Sequence, residues 1–323
     1  MTMNEVIIVF PHAGVPDTLP VHQRRWLARG DVQLVEGAAE PLEQVLEELG
    51  LPKLGSGHAA LRFLGETSEA IDECIAAADP IMLIPRLRDV VAQKIPGALV
   101  ADEDLEAIIE TAQSVLGDSS NIQFRKPGRF AYLISSEPMP TSSISPGPLH
   151  GMRPDAFLPG GPDTRSFHRL HTELQMLLHD HPVSRRRAEA GLPAISGLWI
   201  WGGGSLPAKI SQTLPALFGN DPLFSGYWQH SGGYFAPWPG SLLQCRESPA
   251  DTAVVNVPES DDGGLDSAAI AVVDEIIALM KNGQLRHATM FFGNELRAQK
   301  SRYDRLKVWR KVPDLLRKDI ADE

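Results

Sequence analysis

The chain has 323 residues, of which 43% are hydrophobic and 22% are charged, and its formal net charge is −11. This composition is typical of a globular protein with one large or two smaller domains, and the acidic balance argues against a general nucleic-acid coat protein. Because no apolar run approaches the roughly 18 residues of a membrane helix and no basic stretch followed by an apolar run opens the chain, we expect a cytoplasmic protein without a membrane partner.

The first part of the chain predicts alternating strands and helices. Residues 5–10, EVIIVF, form the continuous apolar run of a strand that is buried on both faces. Residues 41–51 repeat leucine and valine at helical spacing between a proline and a glycine, which predicts a helix. Residues 67–78 predict a second helix after a threonine that suits an N-cap, and residues 79–85 predict a short strand.

The middle of the chain contains two further helices, a hairpin and a long loop. Residues 102–117 predict an amphipathic helix whose acidic first turn suits the helix dipole. Residues 122–135 alternate around a KPGR turn, which predicts a β-hairpin. Residues 136–165 are rich in proline, glycine and serine and predict a long loop or linker. Residues 166–182 place leucines on one stripe of a helix.

The C-terminal part continues the alternation. Residues 209–219 predict a short helix, and residues 226–243, rich in glycine and aromatic side chains, predict a loop. Residues 268–283 predict an amphipathic helix, and residues 286–294 predict a strand. Strands that alternate with helices of this length predict an α/β fold with a largely parallel sheet.

The end of the chain is basic. Between Arg297 and Lys318 there are nine lysines or arginines and two aspartates. In an acidic chain such a segment suits an acidic partner, nucleic acid or phosphate. The stretch SRYDRLKVWR partly alternates, which is equally typical of an edge strand that basic side chains protect. With the edge strand as an alternative, nucleic acid is not the partner that we favour for this segment.

Histidines cluster in the centre of the chain, where four of ten lie between His168 and His181. His168 and His171 have the spacing of one helix face, and His179 and His181 flank Asp180. This pattern suits a metal site or a phosphate pocket, or a solvated helix whose C-terminal dipole favours histidine. There is no HExxH motif, so no metal ligand is assigned, and contact of His179 or His181 with a ligand is a hypothesis.

An arginine run and a glycine run follow the histidines. The run is Arg185, Arg186 and Arg187, and guanidinium groups hold phosphates and carboxylates bidentately. A solvated turn explains two of these arginines well, and Arg187 is the one kept as a candidate. The three glycines of SGLWIWGGGSLPAK follow two tryptophans, and their amides are candidates for an anion-binding nest. A tight turn after a buried strand explains these glycines as well, since their spacing matches neither a P-loop nor GxGxxG.

The two cysteines, Cys74 and Cys245, are far apart in sequence. They have no CxxC spacing, and the absence of a cysteine framework predicts reduced thiols that do not bind metal.

Residues 173–204, ELQMLLHDHPVSRRRAEAGLPAISGLWIWGGG, resemble a group of bacterial proteins described as regulatory or cofactor-independent phosphoglycerate mutase-like. The segments ADPIMLI, KPGRFAYL and LPGGPDTRSFHRL are similar to other parts of that group, so the resemblance covers most of the chain. A weaker similarity extends to archaeal-type phosphoglycerate mutases. The resemblance implies an alkaline-phosphatase-like α/β fold, with a mostly parallel sheet, flanking helices and a middle insertion.

The same resemblance implies how the chain is organised. Residues 1–323 would form one interleaved α/β unit in which the N- and C-terminal segments share a sheet. Residues 1–135 would be its N-terminal α/β part, residues 136–165 the long loop or linker, and residues 166–323 the mutase-like part with the basic C-terminal segment.

Ligand-contacting positions follow from the resemblance as well. In the mutases this central block lies in the part that receives the phosphorylated sugar acid, which implies that Arg187 pairs with its carboxylate or phosphate. The matching ligand-binding positions are Glu173, Gln175, His179, His181, Arg187, Trp199, Trp201, Gly202, Gly203 and Gly204. Ser184 stands where the group has asparagine, and its hydroxyl offers fewer hydrogen-bonding groups than an amide.

The catalytic positions of the family are not matched. Metal-dependent mutases of this superfamily use two divalent metals, a nucleophilic serine or threonine, and several aspartate and histidine ligands. Here the first strand ends in Pro11-His12 where the family has an aspartate, and the late strand runs into Gly293-Asn294 where it has Asp-His. Without metals, phosphoryl transfer loses its main charge stabilisation. We therefore expect a catalytically degenerate, cofactor-free protein that binds a phosphorylated or acidic metabolite in a regulatory role.

Two alternatives stay open. An active, metal-dependent 2,3-bisphosphoglycerate-independent phosphoglycerate mutase or phosphatase would use displaced ligands, and His12, Asp17, His179 and His181 would then meet around one point. A protein- or nucleic-acid-interaction module would use the basic C-terminal segment, and its binding would weaken steeply with salt.

Overall fold

The structure, a computed structural model, describes residues 4–10, 19–35, 39–117, 121–161, 164–245, 251–258 and 267–306. The chain divides into two compact units. Unit 1 combines Met1–Leu51 with Ile210–Glu323, and unit 2 is Pro52–Lys209. The predicted middle insertion is thus confirmed, because unit 2 interrupts the sequence of unit 1.

The secondary structure of the described residues is as follows. The strands are β1 (Glu5–Phe10), β2 (Asp31–Leu34), β3 (Cys74–Pro85), β4 (Val90–Lys94), β5 (Ile122–Arg125), β6 (Tyr132–Ser135), β7 (Gly197–Gly204), β8 (Ala216–Phe218), β9 (Phe235–Ala236), β10 (Thr252–Asn256), β11 (His287–Phe292) and β12 (Leu296–Ser301). The α-helices are α1 (Val21–Ala28), α2 (Pro41–Glu48), α3 (His58–Thr67), α4 (Asp102–Ala112), α5 (Pro146–Leu149), α6 (Arg165–His179), α7 (Pro182–Glu189), α8 (Pro222–Ser231), α9 (Leu242–Cys245) and α10 (Ser267–Lys281). None of these helices is long and apolar enough to cross a membrane.

Unit 1 is built on a seven-stranded sheet with the order β2-β12-β11-β1-β10-β8-β9. The strands from β11 to β9 pair in parallel, whereas β12 is antiparallel to both of its neighbours. This arrangement confirms the predicted α/β class with a mostly parallel sheet and flanking helices. Strand β1 lies at the centre, and its residues from Val6 onward are buried on both faces as predicted.

Helices cover both faces of this sheet. Val6, Ile8 and Phe10 point to the face where α1, α9 and α10 supply the apolar partners. Helix α2 lies on the other face, where Glu48 at its end accepts hydrogen bonds from Thr289 Oγ1 at 3.0 Å and from Gln299 Nε2 at 2.9 Å. Because alternate residues of each strand serve different faces, the β-branched runs of these strands bury both sides.

Unit 2 contains an antiparallel sheet with the order β4-β3-β6-β5. Strand β7 also pairs with β3, along the edge opposite β6. One face carries Ala76, Ala78, Leu198 and Ile200, which pack against apolar side chains of α4, α6 and α7. Helix α3 packs against β3 and β7. The predicted hairpin of residues 122–135 is confirmed as β5 and β6, and the predicted helices 102–117 and 166–182 are confirmed as α4 and α6.

The predicted helix over residues 67–78 is wrong. Helix α3 ends before Ser68, which has a left-handed backbone with φ of 62°, and Cys74 already begins β3. The run of alanines at residues 76–78 favours a helix locally. Pairing of Cys74–Ala77 with β6 overrides that preference, because the small side chains let helices approach both faces of the strand.

Two predictions beside β8 are also wrong. Residues 209–219 contain no helix, since Ala216–Phe218 form β8 in parallel with β10. The predicted loop 226–243 contains most of α8, the short strand β9 and the start of α9. Helix α8 has the expected terminal signals, because Asp221 caps it, a proline follows, and Gly232 ends it with φ of 72°. The glycines and aromatic residues of this segment suggest a loop when only the sequence is considered, so these terminal signals of a helix are missed.

The loop and tail predictions differ from the structure in other ways. Residues 136–165 lie within unit 2 and join its sheet through a bridge between Ser142 and Trp201. The proposed basic edge strand is wrong over residues 302–306, which form a 3-10 helix. Strand β12 precedes it and lies between two neighbours. Residues 307–323 are outside the described part of the chain.

The two cysteines differ in exposure, and this difference makes a first prediction. Both are free, Cys74 is half-buried, and Cys245 in α9 is buried. Burial, with the nearby charge of Glu275, raises the pKa of the Cys245 thiol to about 12. A thiol with that pKa stays protonated at about pH 8 and reacts slowly, because the thiolate is the nucleophile.

We therefore expect dithionitrobenzoate to modify Cys74 in the folded protein at about pH 8 and to reach Cys245 only in urea. A Cys74→Ser variant isolates the second thiol. Rapid colour release from that folded variant would contradict the prediction, and a Cys245→Ser variant serves as the matched control.

Candidate functional site

The tryptophans of the central block are anchors of the unit 2 interior. Trp199 and Trp201 belong to β7, and both side chains are buried. Trp199 Nε1 donates to the Ile144 carbonyl at 2.8 Å, and Trp201 Nε1 donates to Asp79 Oδ2 at 2.7 Å. Because each indole N–H has a protein partner, both rings contribute packing and orientation to the core.

A buried ion pair that the sequence did not reveal lies beside Trp201. The Arg62 guanidinium of α3 donates to both carboxylate oxygens of Asp79 in β3, at 2.8 and 2.9 Å. It also lies over the rings of Phe130, Tyr132 and Trp201, with its central carbon 4.5, 5.0 and 5.4 Å from their centroids. Burial acts to lower the pKa of Arg62, but the charge and hydrogen bonds of Asp79 together with the contribution of Tyr132 outweigh burial, and the pKa is raised.

A second carboxylate, that of Glu66, binds two of the aromatic residues that surround Arg62. Glu66, one helical turn beyond Arg62, accepts from the Tyr132 hydroxyl at 2.7 Å and from the Phe130 amide at 3.0 Å. Burial raises the pKa of Tyr132, and Glu66 and Asp79 add to that effect. The tyrosine is therefore a neutral donor at physiological pH. Single charged residues inside the apolar runs HAALRFL and AAADPIML are the sequence signals that could have indicated this cluster.

The three glycines let two backbone segments approach each other. A Cβ atom on Gly202 would lie 3.1 Å from His58 Cβ, and one on Gly204 would lie 2.9 Å from the Gly57 amide nitrogen. Gly202 donates its amide to the Ser142 carbonyl at 2.8 Å, and Gly203 donates to Thr141 Oγ1 at 2.9 Å. Two of the three amides expected in an anion nest are thus bound within the protein.

His181 has a structural position at the start of α7. Its Nδ1 accepts from the Val183 amide at 3.3 Å, and its Nε2 lies 3.0 Å from Thr111 Oγ1. Burial lowers the pKa of His181, which favours the neutral ring that this acceptor role requires.

Arg187 is almost fully buried, with 1% of its surface exposed. Its guanidinium donates to Asp104 Oδ2 at 3.0 Å, to the Leu99 carbonyl at 2.7 Å and to the Pro193 carbonyl at 2.9 Å. Asp104 also pairs with Arg186. Burial acts to raise the pKa of Asp104, but hydrogen bonds and charges of both arginines outweigh it and lower the pKa. All three nitrogens of Arg187 therefore have partners inside unit 2, one on Asp104 of α4 and two on the backbone carbonyls of Leu99 and Pro193.

The remaining predicted positions lie along α6. Glu173 pairs with Arg169 one turn away, with Arg169 Nε and Glu173 Oε1 2.8 Å apart. Gln175 Nε2 lies 3.5 Å from His171 Nδ1, and His179 is exposed at the end of the helix. Contact of these three side chains with a ligand stays a prediction.

The displaced-ligand hypothesis is tested only in part. His12 and Asp17 lie outside the described residues. Within the described ranges, no three histidine, cysteine, aspartate or glutamate side chains are placed together to hold a metal ion.

Topology indicates a different candidate site, at the carboxyl edge of the unit 1 sheet. From β8 the chain passes through α8 to β9, on the far side of β8 from β10. From β10 it passes through α10 to β11, in the opposite direction across β1. Ligands of open α/β sheets bind outside the carboxyl ends of adjacent strands whose connections diverge in this way. The carboxyl ends of β8 and β10, where such a crevice is expected, are therefore the candidate functional site.

Neutral amides and a capping carboxylate line this edge. Asn256 is buried at the end of β10, and a Cβ atom on Gly219 would lie only 2.8 Å from Asn256 Cβ, so glycine is required there. Asn220 follows, is exposed, and accepts from the Trp238 amide at 3.1 Å. Asp221 Oδ1 accepts from the Leu223 amide at 2.8 Å and caps α8.

The neighbouring strand ends extend the same edge. Phe10 and Phe292, the last residues of β1 and β11, stack with ring centroids 4.9 Å apart. Asn294, another amide, follows two residues later and is half-buried. Among the residues that the structure describes here, these positions do not fit a hard divalent metal ion, which prefers several carboxylates. They offer hydrogen-bond donors and acceptors without charge.

Comparison with known proteins finds one relative of described activity. No family model matches the chain. A 2,3-bisphosphoglycerate-independent phosphoglycerate mutase of Methanosarcina barkeri is 28% identical over 111 residues, which cover 33% of this chain and 28% of the mutase. The matched stretch thus spans little more than a quarter of that relative, and the phosphoglycerate mutase-like relationship is shown at this level.

Two solved structures are also similar. The cofactor-independent phosphoglycerate mutase of Thermoplasma acidophilum matches with a TM-score of 0.40 and 15% identity, over 93% of this chain and 90% of that one. The PH0037 protein of Pyrococcus horikoshii matches with a TM-score of 0.47 and 13% identity, over 93% and 88%. At these scores the similarities establish neither family nor function.

Proposed function

We propose that this chain is a phosphoglycerate mutase-like protein that binds a phosphorylated or acidic small metabolite in a regulatory role, without mutase turnover. The binding site is the crevice at the carboxyl ends of β8 and β10. The match to the Methanosarcina mutase supports the class of ligand, and the divergent connections around the crevice support its place.

The observation that carries the proposal is the chemistry of the strand ends. Asn256, Asn220 and Asn294 stand at or just beyond the ends of β10, β8 and β11. An amide NH₂ donates to phosphate or carboxylate oxygens but does not supply the negative charge that holds two divalent cations. Among the described residues that follow these strands, Asp221 supplies a carboxylate, and its Oδ1 caps α8. This donor set suits retention of an anion better than metal-assisted phosphoryl transfer.

A thermal-shift titration with 3-phosphoglycerate, with and without manganese, tests this function. Ligand at about 100 times its dissociation constant stabilises the folded state by about 2.7 kcal/mol, and we expect the same shift in either condition. Asn220→Ala removes an exposed amide at the crevice and should reduce the shift. Asn282→Ala, an equally exposed asparagine after α10, is the matched control and should retain it.

A coupled mutase and phosphatase assay on the same samples distinguishes the enzyme hypothesis. We expect no turnover with manganese. Manganese-dependent turnover that Asp17→Ala abolishes would overturn the proposal in favour of an active mutase or phosphatase with displaced ligands. The absence of any thermal shift would overturn the assignment of a sugar-acid ligand.

A further inference from the structure

A hairpin tip in unit 2 projects apolar and basic side chains together. Arg86-Leu87-Arg88-Asp89 connects β3 to β4, and the Arg86 amide closes the turn on the Asp89 carbonyl at 2.7 Å. Leu87 is 98% exposed, and both arginines beside it are exposed. A fully exposed leucine contributes favourable free energy only when a partner covers it, because that contribution comes from the burial of its apolar surface.

The distal part of the hairpin is also weakly buried. Met82, Leu83 and Ile84 are only partly covered although they lie on a strand, and Val90 is 40% exposed. The outer edge of β4 is closed further along, where the Ala92 amide donates to the Met152 carbonyl at 2.9 Å. Pairing of this edge with another strand is therefore blocked there, and the tip is the part of the hairpin left to make contact.

A groove with the complementary chemistry lies in unit 1, at the amino edge of the sheet. Its volume is about 830 Å³, and it opens beside the first residues of β1, β10 and β11. Leu49, Leu214 and Pro215 contribute apolar wall. The carboxylates and the lysine that line it are Glu5, Asp31, Glu48, Asp251, Asp304 and Lys300.

The side chains that line this groove carry a net negative charge, from five carboxylates and one lysine. Glu48 is paired with Arg297. The Lys300 ammonium is buried, donates to the Trp26 carbonyl at 2.8 Å and lies 4.8 Å from the Trp26 ring centroid. Glu5, Asp31 and Asp251 are exposed at the rim. An apolar wall with an acidic rim matches a leucine flanked by two arginines.

We propose that the Arg86–Leu87–Arg88 tip of one molecule docks into this amino-edge groove of a second copy. Leu87 would contact the apolar wall, and the arginines would face the rim carboxylates. Both complementary halves occur on the same chain, which is why a second copy is the occupant. Two molecules of net charge −11 repel at long range, so such a local match of opposite charge is needed for them to associate.

Sedimentation velocity of the full chain over a range of concentrations tests the proposal. We expect reversible self-association at about 0.05 M salt that weakens at about 0.5 M. The higher salt concentration shortens the Debye length and so screens the attraction between the exposed arginines and carboxylates. Arg86→Glu with Arg88→Glu should raise the dissociation constant at least about tenfold. Arg125→Glu with Arg165→Glu changes the net charge equally at exposed positions and should leave association unchanged.

Charge exchange identifies the groove. Glu5→Lys with Asp251→Lys should weaken association as strongly as the tip variant does, and the chain that combines all four substitutions should associate again. A wild-type monomer at every concentration in low salt would overturn the proposal. Failure of the combined chain to associate, with circular dichroism showing that it is folded, would overturn the groove as the docking site.

Discussion

Asp79→Ala is expected to lower the free energy of unfolding by about 3–5 kcal/mol, because it leaves the Arg62 charge buried without its partner. The side chains of Arg62 and Asp79 are 6% and 10% exposed, so solvent cannot replace the lost carboxylate. Trp201 also loses the acceptor for its indole N–H. Urea unfolding, followed by circular dichroism and tryptophan fluorescence, measures the change.

The matched control is Glu173→Ala, which breaks an exposed pair with Arg169 and should cost no more than about 0.5 kcal/mol. Arg62→Met with Asp79→Leu removes both charges and should recover most of the stability that the single variant loses. Equal urea midpoints for Asp79→Ala and Glu173→Ala would show that the buried pair contributes little. Poor recovery in the double variant would show that the arginine has a further structural role over its aromatic neighbours.

Arg187→Ala is expected to be about as harmful in the absence of any ligand, with a loss of about 3–5 kcal/mol. It removes the donors to two part-buried backbone carbonyls and one of the two arginines on Asp104, whose side chain is 8% exposed. Arg185→Ala changes an exposed neighbour that reaches only the Asp180 carbonyl, and should stay within about 0.5 kcal/mol.

The pH dependence of this loss follows from Asp104. Its pKa is lowered in the folded state, so its contribution is present above the unfolded pKa of about 3.9 and is lost as the pH falls through the folded value. The difference between wild type and Arg187→Ala should therefore narrow in acid. An Arg187→Ala protein that is as stable as wild type but loses its response to 3-phosphoglycerate would contradict this account and assign the residue to the ligand.

Elements with a decisive hydrophobic period could be predicted from the sequence. Strand β1, helices α4, α6 and α10, and the β5–β6 hairpin all appear where the pattern placed them. In each of these elements, burial of one or both faces is the main source of stability. Such burial requires apolar residues at a regular spacing, and this spacing can be recognised in the sequence. The start of β3 fails this test, because an alanine-rich segment has too little apolar contrast to show which period it follows.

The candidate site could be predicted only in part. The sequence singled out Trp199, Trp201 and Arg187, and all three are buried. It could not show what they bind, because Trp201 meets a carboxylate 122 positions away and Arg187 meets one 83 positions away. The sequence also could not distinguish an arginine that binds a ligand from one that connects two parts of the protein, because both roles use the same guanidinium group.

The crevice at β8 and β10 depends on topology even more strongly. Asn220 and Asn256 are ordinary loop and strand-end residues in sequence, with nothing in the spacing to connect them. They become neighbours because β10 inserts between β1 and β8, and the close approach of Gly219 to Asn256 follows from that pairing.

By itself, the sequence determined the α/β class, most of the regular elements and the resemblance to phosphoglycerate mutases, since local periodicity and a contiguous motif carry that information. The tertiary structure was needed to place the bounds of the inserted unit at residues 52 and 209, to show that Trp199, Trp201 and Arg187 are buried, and to bring Gly219 against Asn256 at the carboxyl edge of the sheet. The physical reason is that strand order and buried partners join residues far apart in the chain, and the choice among such pairings depends on the packing of the whole unit.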